Sequence, residues 1–151
     1  MLLNYIIGFI VPWIISIKYI MKNLNIFIVI APIGTVFAYT INTWAYHSHY
    51  WKVSPERFNY YSTLPYDLGL YPVYACLMIV FIKNKKANPY FIVLIASIII
   101  TFLEYIALMM DIVIYTNGWN IFFTFISYLL PLLLVYWYYL LAIHRNILKN
   151  I

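Results

Sequence analysis

Charge, cysteine and glycine are all scarce in this sequence, and each shortage excludes something. Charged residues make up 9% of the chain, where soluble domains carry about 25%. A surface that must face water on all sides cannot be built from so few. The single cysteine, Cys76, rules out a disulfide framework, and its place in an apolar run reads as a small buried hydrophobe. The four glycines (Gly8, Gly34, Gly69 and Gly118) stand alone, so there is no phosphate-cradling loop, and no lysine follows in a Walker pattern. Cys76 has no histidine near it in sequence, and Ser127 lies in an apolar run, so no nucleophile constellation is visible. No catalytic residue is assigned, and no cofactor or metal is implied.

What fills the chain instead is apolar. Hydrophobic residues reach 66% of the 151. A soluble domain of this size leaves much of its surface in water and could not hide that fraction. The bilayer must therefore be the solvent. At about 20 residues per span, the length accommodates five or six crossings in one membrane domain, residues 1–151. Stretches such as residues 91–100 are continuously apolar. Barrel strands alternate apolar and polar side chains, so the expected class is all-α, a polytopic transmembrane helical bundle. Five spans are expected at residues 2–19, 25–46, 65–82, 90–114 and 121–143, with Pro12, Pro32, Pro72 and Pro131 bending four of them.

The net charge of +5 does not point to nucleic acid, because the basic residues sit at the ends of apolar runs. Lys18, Lys22, Lys83, Lys85, Lys86, Arg145 and Lys149 fall on one side of a five-span arrangement, and Lys52 and Arg57 on the other. The positive-inside rule then places the N-terminus outside and the C-terminus in the cytoplasm. The first apolar run has its lysines after it and no small-residue cleavage site, so it reads as a retained helix. Trp44, Tyr46, Tyr50, Trp51 and Trp119 form an outer aromatic belt, and Trp137, Tyr138 and Tyr139 an inner one.

Between spans two and three, residues 50–64 read as a short interfacial helix. Ser54 is its N-cap, Pro55 its first position, and Val53 and Phe58 have staple spacing. Between spans four and five, Asn117-Gly118 followed by Trp119 predicts a tight turn.

Glu104 is the residue that carries most information. It lies within span four, about 21 Å from its inner end at 1.5 Å per residue. An acid at such depth costs roughly 2.5–3.5 kcal/mol to insert, so it must face the bundle, neutral or hydrogen-bonded. Asp111, seven residues on, falls on the same helical face, and the two predict an acidic stripe leading outward. Asp67, Asn42 and His47 reach a similar depth from neighbouring spans and complete the candidate ligand- or proton-binding set. His47 and His49 lie two apart, point in different directions on a helix, and make a poor metal pair.

The stretch from Phe102 through Glu104 to Ala107, the run Tyr115-Thr116-Asn117-Gly118-Trp119-Asn120, and Ser127-Tyr128 with Pro131 resemble a family of small multi-spanning membrane proteins of spore-forming Gram-positive bacteria. Leu70-Tyr71-Pro72 extends the resemblance, which covers residues 62–151. It implies a bacterial cell-membrane location and puts Glu104 and Trp119 at family motif positions, but it brings no function.

Three functional readings follow. The leading one is a small bundle that binds a lipid or apolar ligand, or a partner membrane protein or second copy, around Glu104. A second is a transporter or proton-coupled subunit, in which acids at graded depth relay protons. The third is an intramembrane enzyme acting on a lipid or isoprenoid, with Glu104 as general acid and Asp67 or His47 as its partner.

Overall fold

A computed structural model describes residues 1–85 and 87–148, so Lys86 and Lys149 lie outside the described residues. Five helices are long and apolar enough to cross a membrane: α1 Leu2–Lys22, α2 Leu24–His47, α3 Tyr66–Asn84, α4 Pro89–Met109 and α5 Ile121–His144. Two of their starts follow directly from sequence. Asn88 Oδ1 accepts the Tyr90 N–H at 2.9 Å, with Pro89 in the first helical position. Asn120 Oδ1 accepts from the N–H groups of Phe122 and Phe123 at 3.0 and 3.3 Å.

Three helix ends share one device. After α2, His49 has φ 56°, its N–H bonds to Tyr46 O, and the Tyr50 N–H reaches back to Ala45 O at 2.9 Å. After α4, Asp111 has φ 54°, its N–H bonds to Leu108 O, and Ile112 N–H reaches Ala107 O at 2.9 Å. After α5, Asn146 has φ 57°, with the same pair of bonds to Ile143 O and Ala142 O. Each is a Schellman stop, which satisfies carbonyls left over at the helix end and needs one left-handed residue. Asn, Asp and His are the non-glycine residues that accept that conformation best.

α1 and α3 cross through a pair of matching defects. Each has a π-helical turn, Ile6–Ile10 and Tyr66–Leu70, and each π turn is followed two residues later by proline, Pro12 and Pro72. Proline lacks the N–H that would bond the carbonyl four residues back. For Pro72 that carbonyl is Leu68 O, and the Trp13 indole N–H of α1 donates to it at 3.1 Å. For Pro12 it is Gly8 O, and the Gly69 Cα lies directly against it. A Cβ at Gly69 would sit 2.1 Å from Gly8 O and 2.5 Å from Phe9 Cα. The contact has the form of a Cα–H···O bond and is open only to glycine. On its other face α3 packs on α2, where a Cβ on Gly34 would meet Pro72 Cα at 3.0 Å. Ile26, Ile30, Ile79, Val93 and Val135 are fully buried between α2, α3, α4 and α5 and mark the core.

Two loops depart from the expected arrangement. The 50–64 segment is not one helix. Trp51–Val53 is a strand, and only Glu56–Ser62 coils, as a 3₁₀ helix. Span four ends at Met109 rather than at residue 114, because Asp111 turns the chain and Val113–Tyr115 becomes a second strand. The strands β1 (Trp51–Val53) and β2 (Val113–Tyr115) pair antiparallel, with Trp51 opposite Tyr115 and Val53 opposite Val113. Bonds from Ser54 N–H to Ile112 O and from Thr116 N–H to Tyr50 O, both 2.8 Å, extend the ribbon. A bundle otherwise all helical thus carries a two-stranded ribbon across one end. That ribbon is invisible to periodicity, since each strand is three residues long. Asn4 pins the segment beneath it: buried in α1, its Nδ2 donates to Ser54 O at 2.8 Å and to Ser62 O at 3.2 Å.

Beyond β2, Asn117 and Gly118 have φ 49° and 73°, and Trp119 N–H bonds to Thr116 O at 3.0 Å. Two successive positive φ values define a type I′ turn, the conformation Asn-Gly favours. The tight turn expected there is present, although it joins β2 to α5 and not helix to helix.

Candidate functional site

Glu104 lies under the ribbon, five residues before the end of α4, about 8 Å along the helix axis. It is closer to the helix end than the longer expected span implied, because α4 stops early. Both carboxyl oxygens are held. Tyr115, from β2, donates its hydroxyl to Oε1 at 2.7 Å, and Tyr128, from α5, donates to Oε2.

Each phenol is backed by a further donor. Trp119 Nε1–H, which can only donate, bonds Thr124 Oγ1 at 2.8 Å. Tyr115 spends its one proton on Glu104, so the 2.5 Å contact between Thr124 Oγ1 and the Tyr115 oxygen must use the threonine proton. The second arm runs from the Tyr71 hydroxyl to that of Tyr128 at 3.1 Å and on to Glu104 by the same reasoning. Two chains of donors, Trp119–Thr124–Tyr115 and Tyr71–Tyr128, therefore converge on one acceptor. Such polarised chains suit an ionised carboxylate, which only accepts. Burial, reinforced by the neighbouring Glu104 charge, pushes the Tyr115 phenol well above its ordinary range, which keeps it a protonated donor.

The acid belongs to a network but is not sealed in. It faces a groove of about 250 Å³ between α1, α3 and α4, capped by the strands. Ile7, Leu70, Leu103, Ala107, Met110 and Val113 give that groove apolar walls, and Glu104, Tyr71 and Tyr128 line it as well. Glu104 also lines a second, smaller cavity of about 60 Å³, bounded by Phe37, Trp51, Tyr74 and Leu132 among others. A second surface groove, about 640 Å³ between α2 and α5, is lined by Trp44, Tyr50, Trp119 and Leu130 and contains no charged side chain.

Asp67 forms a separate centre. Fully buried in the π turn of α3, its Oδ1 accepts from Asn42 Nδ2 at 2.5 Å, and the Thr63 hydroxyl also bonds the carboxyl group. Its Oδ2 has no hydrogen-bond partner. A pocket of about 10 Å³, lined by Asn42, Thr63, Tyr71 and Glu104, lies between this pair and the Glu104 network, close to the space one water occupies. Of the expected set, the fold thus brings Glu104, Asn42 and Asp67 together. It does not bring Asp111, which is exposed and serves as the left-handed stop of α4, so no acidic stripe continues outward. Nor does it bring His47, which is exposed at the last position of α2 with its ring edge-on to Tyr46 at 5.6 Å.

Trp119, expected in the turn and the belt, closes the turn and is also the hub of an aromatic cluster. Its ring lies 4.7 Å from Trp51, 5.0 Å from Tyr50, 5.5 Å from Phe123 and 6.2 Å from Trp44. Sequence reasoning missed the roles of Tyr71, Tyr115, Thr124 and Tyr128. The signal available was the abundance of tyrosine (17 residues) in a chain with four acids, since buried phenols need partners. Among the described residues, no group of three or more His, Cys, Asp or Glu is placed to hold a metal.

No protein-family profile, curated protein or solved structure matches this chain.

Proposed function

We propose that this chain is a multi-pass protein of a bacterial cell membrane that binds one lipid or other long apolar chain in the groove lined by Glu104. The observation that carries the reading is the groove itself, about 250 Å³ with mostly apolar walls and one hydrogen-bonded acid, Glu104, among its lining residues. An entirely apolar cleft would suit helix packing as well as a ligand. A polar group fixed in an apolar slot is the usual arrangement of a site that orients an amphiphile. Of the three readings the sequence allows, ligand binding is the one the groove supports.

The location and orientation rest on charge. Among described residues, Lys18, Lys22, Lys83, Lys85 and Arg145 gather at the end opposite the ribbon, against Lys52 and Arg57 at the ribbon end. With positive charge inside, the ribbon and the groove lie in the outer half of the membrane. The bacterial cell membrane is what the resemblance on the Glu104 and Trp119 stretches implies.

The test is native mass spectrometry of protein released from mild detergent, comparing wild type with Ala107→Trp. The indole added on the groove wall fills the slot without touching the hydrogen bonds of Glu104. Wild type is expected to retain one lipid-sized adduct and Ala107→Trp to lose it at an unchanged melting temperature. An absent adduct in wild type, or an equal one in both, rejects the reading.

A further inference from the structure

Among the described residues, no lysine or arginine pairs with Glu104. The ion pair they show, Lys52 with Glu56 at 3.1 Å, is exposed on the ribbon, and Lys52 is engaged there with Glu56. The two donor arms that end on Glu104 all point toward it, so the protein concentrates positive dipole on the carboxylate and yet pairs it with no described cation. The carboxyl group accepts from Tyr115 and Tyr128, with the Thr124 hydroxyl also at hydrogen-bonding range, and its two oxygens have further acceptor capacity. The surroundings are aromatic: Tyr71 and Tyr128 line both the groove and the smaller cavity, and Trp51 and Phe37 also line that cavity. An uncompensated carboxylate walled by phenol and indole rings is the combination that attracts an ammonium group, through a charge-assisted hydrogen bond and the ring faces.

Resting on the reading that the groove holds an apolar chain, we propose that its ligand is a cationic amphiphile, a long-chain amine whose ammonium head meets Glu104 beside the Tyr71–Tyr128 pair. The other groove, between α2 and α5, has comparable aromatic walls but no acid, and provides no such selectivity. A fatty acid would place a second carboxylate against Glu104 and is disfavoured. A neutral alcohol fits the groove and gains one ordinary hydrogen bond.

The experiment uses three probes of one chain length, hexadecylamine, hexadecanol and hexadecanoate, titrated into the purified full chain in a neutral maltoside detergent and read by native mass spectrometry. Wild type is expected to hold the amine about tenfold more tightly than the alcohol, and the fatty acid more weakly than either. Glu104→Gln is expected to abolish the amine's advantage while leaving alcohol binding in place, and retained alcohol binding itself certifies that the variant folds. Should Glu104→Gln not fold, Glu104→Asp provides the second test. It keeps an acid but withdraws it by one methylene, and the amine's advantage should shrink.

An amine bound no better than the alcohol overturns the cation inference and leaves the groove reading intact. So does a preference that survives Glu104→Gln, or one undiminished in Glu104→Asp. If none of the three probes binds, the groove reading falls, and the inference with it.

Discussion

Thr124 occupies the middle of the longer donor arm, accepting from Trp119 and donating to Tyr115 with one fully buried hydroxyl. Thr124→Val keeps the shape and removes both bonds, leaving an indole N–H and a phenol oxygen without that partner. The expected cost is about 1–3 kcal/mol, the range for orphaning buried polar groups. Thermal unfolding in detergent measures it, and Thr124→Ser, which restores the hydroxyl, should recover most of the loss. Ser127→Ala provides the contrast. That hydroxyl only bonds back to Thr124 O within its own helix, at 2.8 Å, and its loss should change little.

At this scale Glu104 was legible because an acid in an apolar run has few places to go. Asp67 and Asn42 were legible for a related reason, as polar groups at similar depth. The partners of Glu104 were not, because Tyr115, Tyr128 and Tyr71 come from three different elements. Only the ribbon register, with Trp51 opposite Tyr115, carries the Tyr115 hydroxyl to the acid. Asn4 was overlooked for the opposite reason: one polar residue near a terminus reads as solvated, whereas here it is buried and holds two carbonyls of the connection.

Among the elements, the crossing of α1 and α3 is the most constrained contact. Gly69→Ala would drive a methyl group into Gly8 O and Phe9 Cα, which are backbone atoms and cannot swing aside. The helices must separate or the π turns unwind. The expected destabilisation is about 1–3 kcal/mol or more, as for overpacking elsewhere. It would be measured as a fall in melting temperature, whereas full stability in Gly69→Ala would show that the crossing is looser than described.

Five spans could be read from hydropathy alone, since apolar runs of this length have little else to do. Their ends were read less well. Span four was expected to run on through Asp111 because the sequence after it is still apolar and no glycine marks the stop. The Schellman ends at His49, Asp111 and Asn146 use residues that accept the left-handed conformation without advertising it. The expected stripe from Glu104 to Asp111 failed for the same reason: a periodicity of seven holds only while the helix lasts.

For the molecule as a whole, the asymmetry between its two ends organises everything else. One end carries the ribbon, the Trp119 aromatic cluster, both buried acids and the groove. The other carries most of the cations, with Lys83 Nζ donating to Asn23 Oδ1 at 3.4 Å across the end of α3. In the proposed orientation the ribbon end faces outward and the lysine end faces the cytoplasm, so that Glu104 would be reached from the outer leaflet.

Cysteine labelling tests this most directly. In a Cys76→Ala background, Asn117→Cys, in the exposed turn beyond β2, and Lys85→Cys, after α3, report on the two ends. A membrane-impermeant maleimide applied to intact cells is expected to modify Asn117→Cys and to reach Lys85→Cys only after permeabilisation. The reverse pattern, or labelling of both positions in intact cells, would contradict a five-span bundle with its ribbon and its acid-lined groove on the outer side.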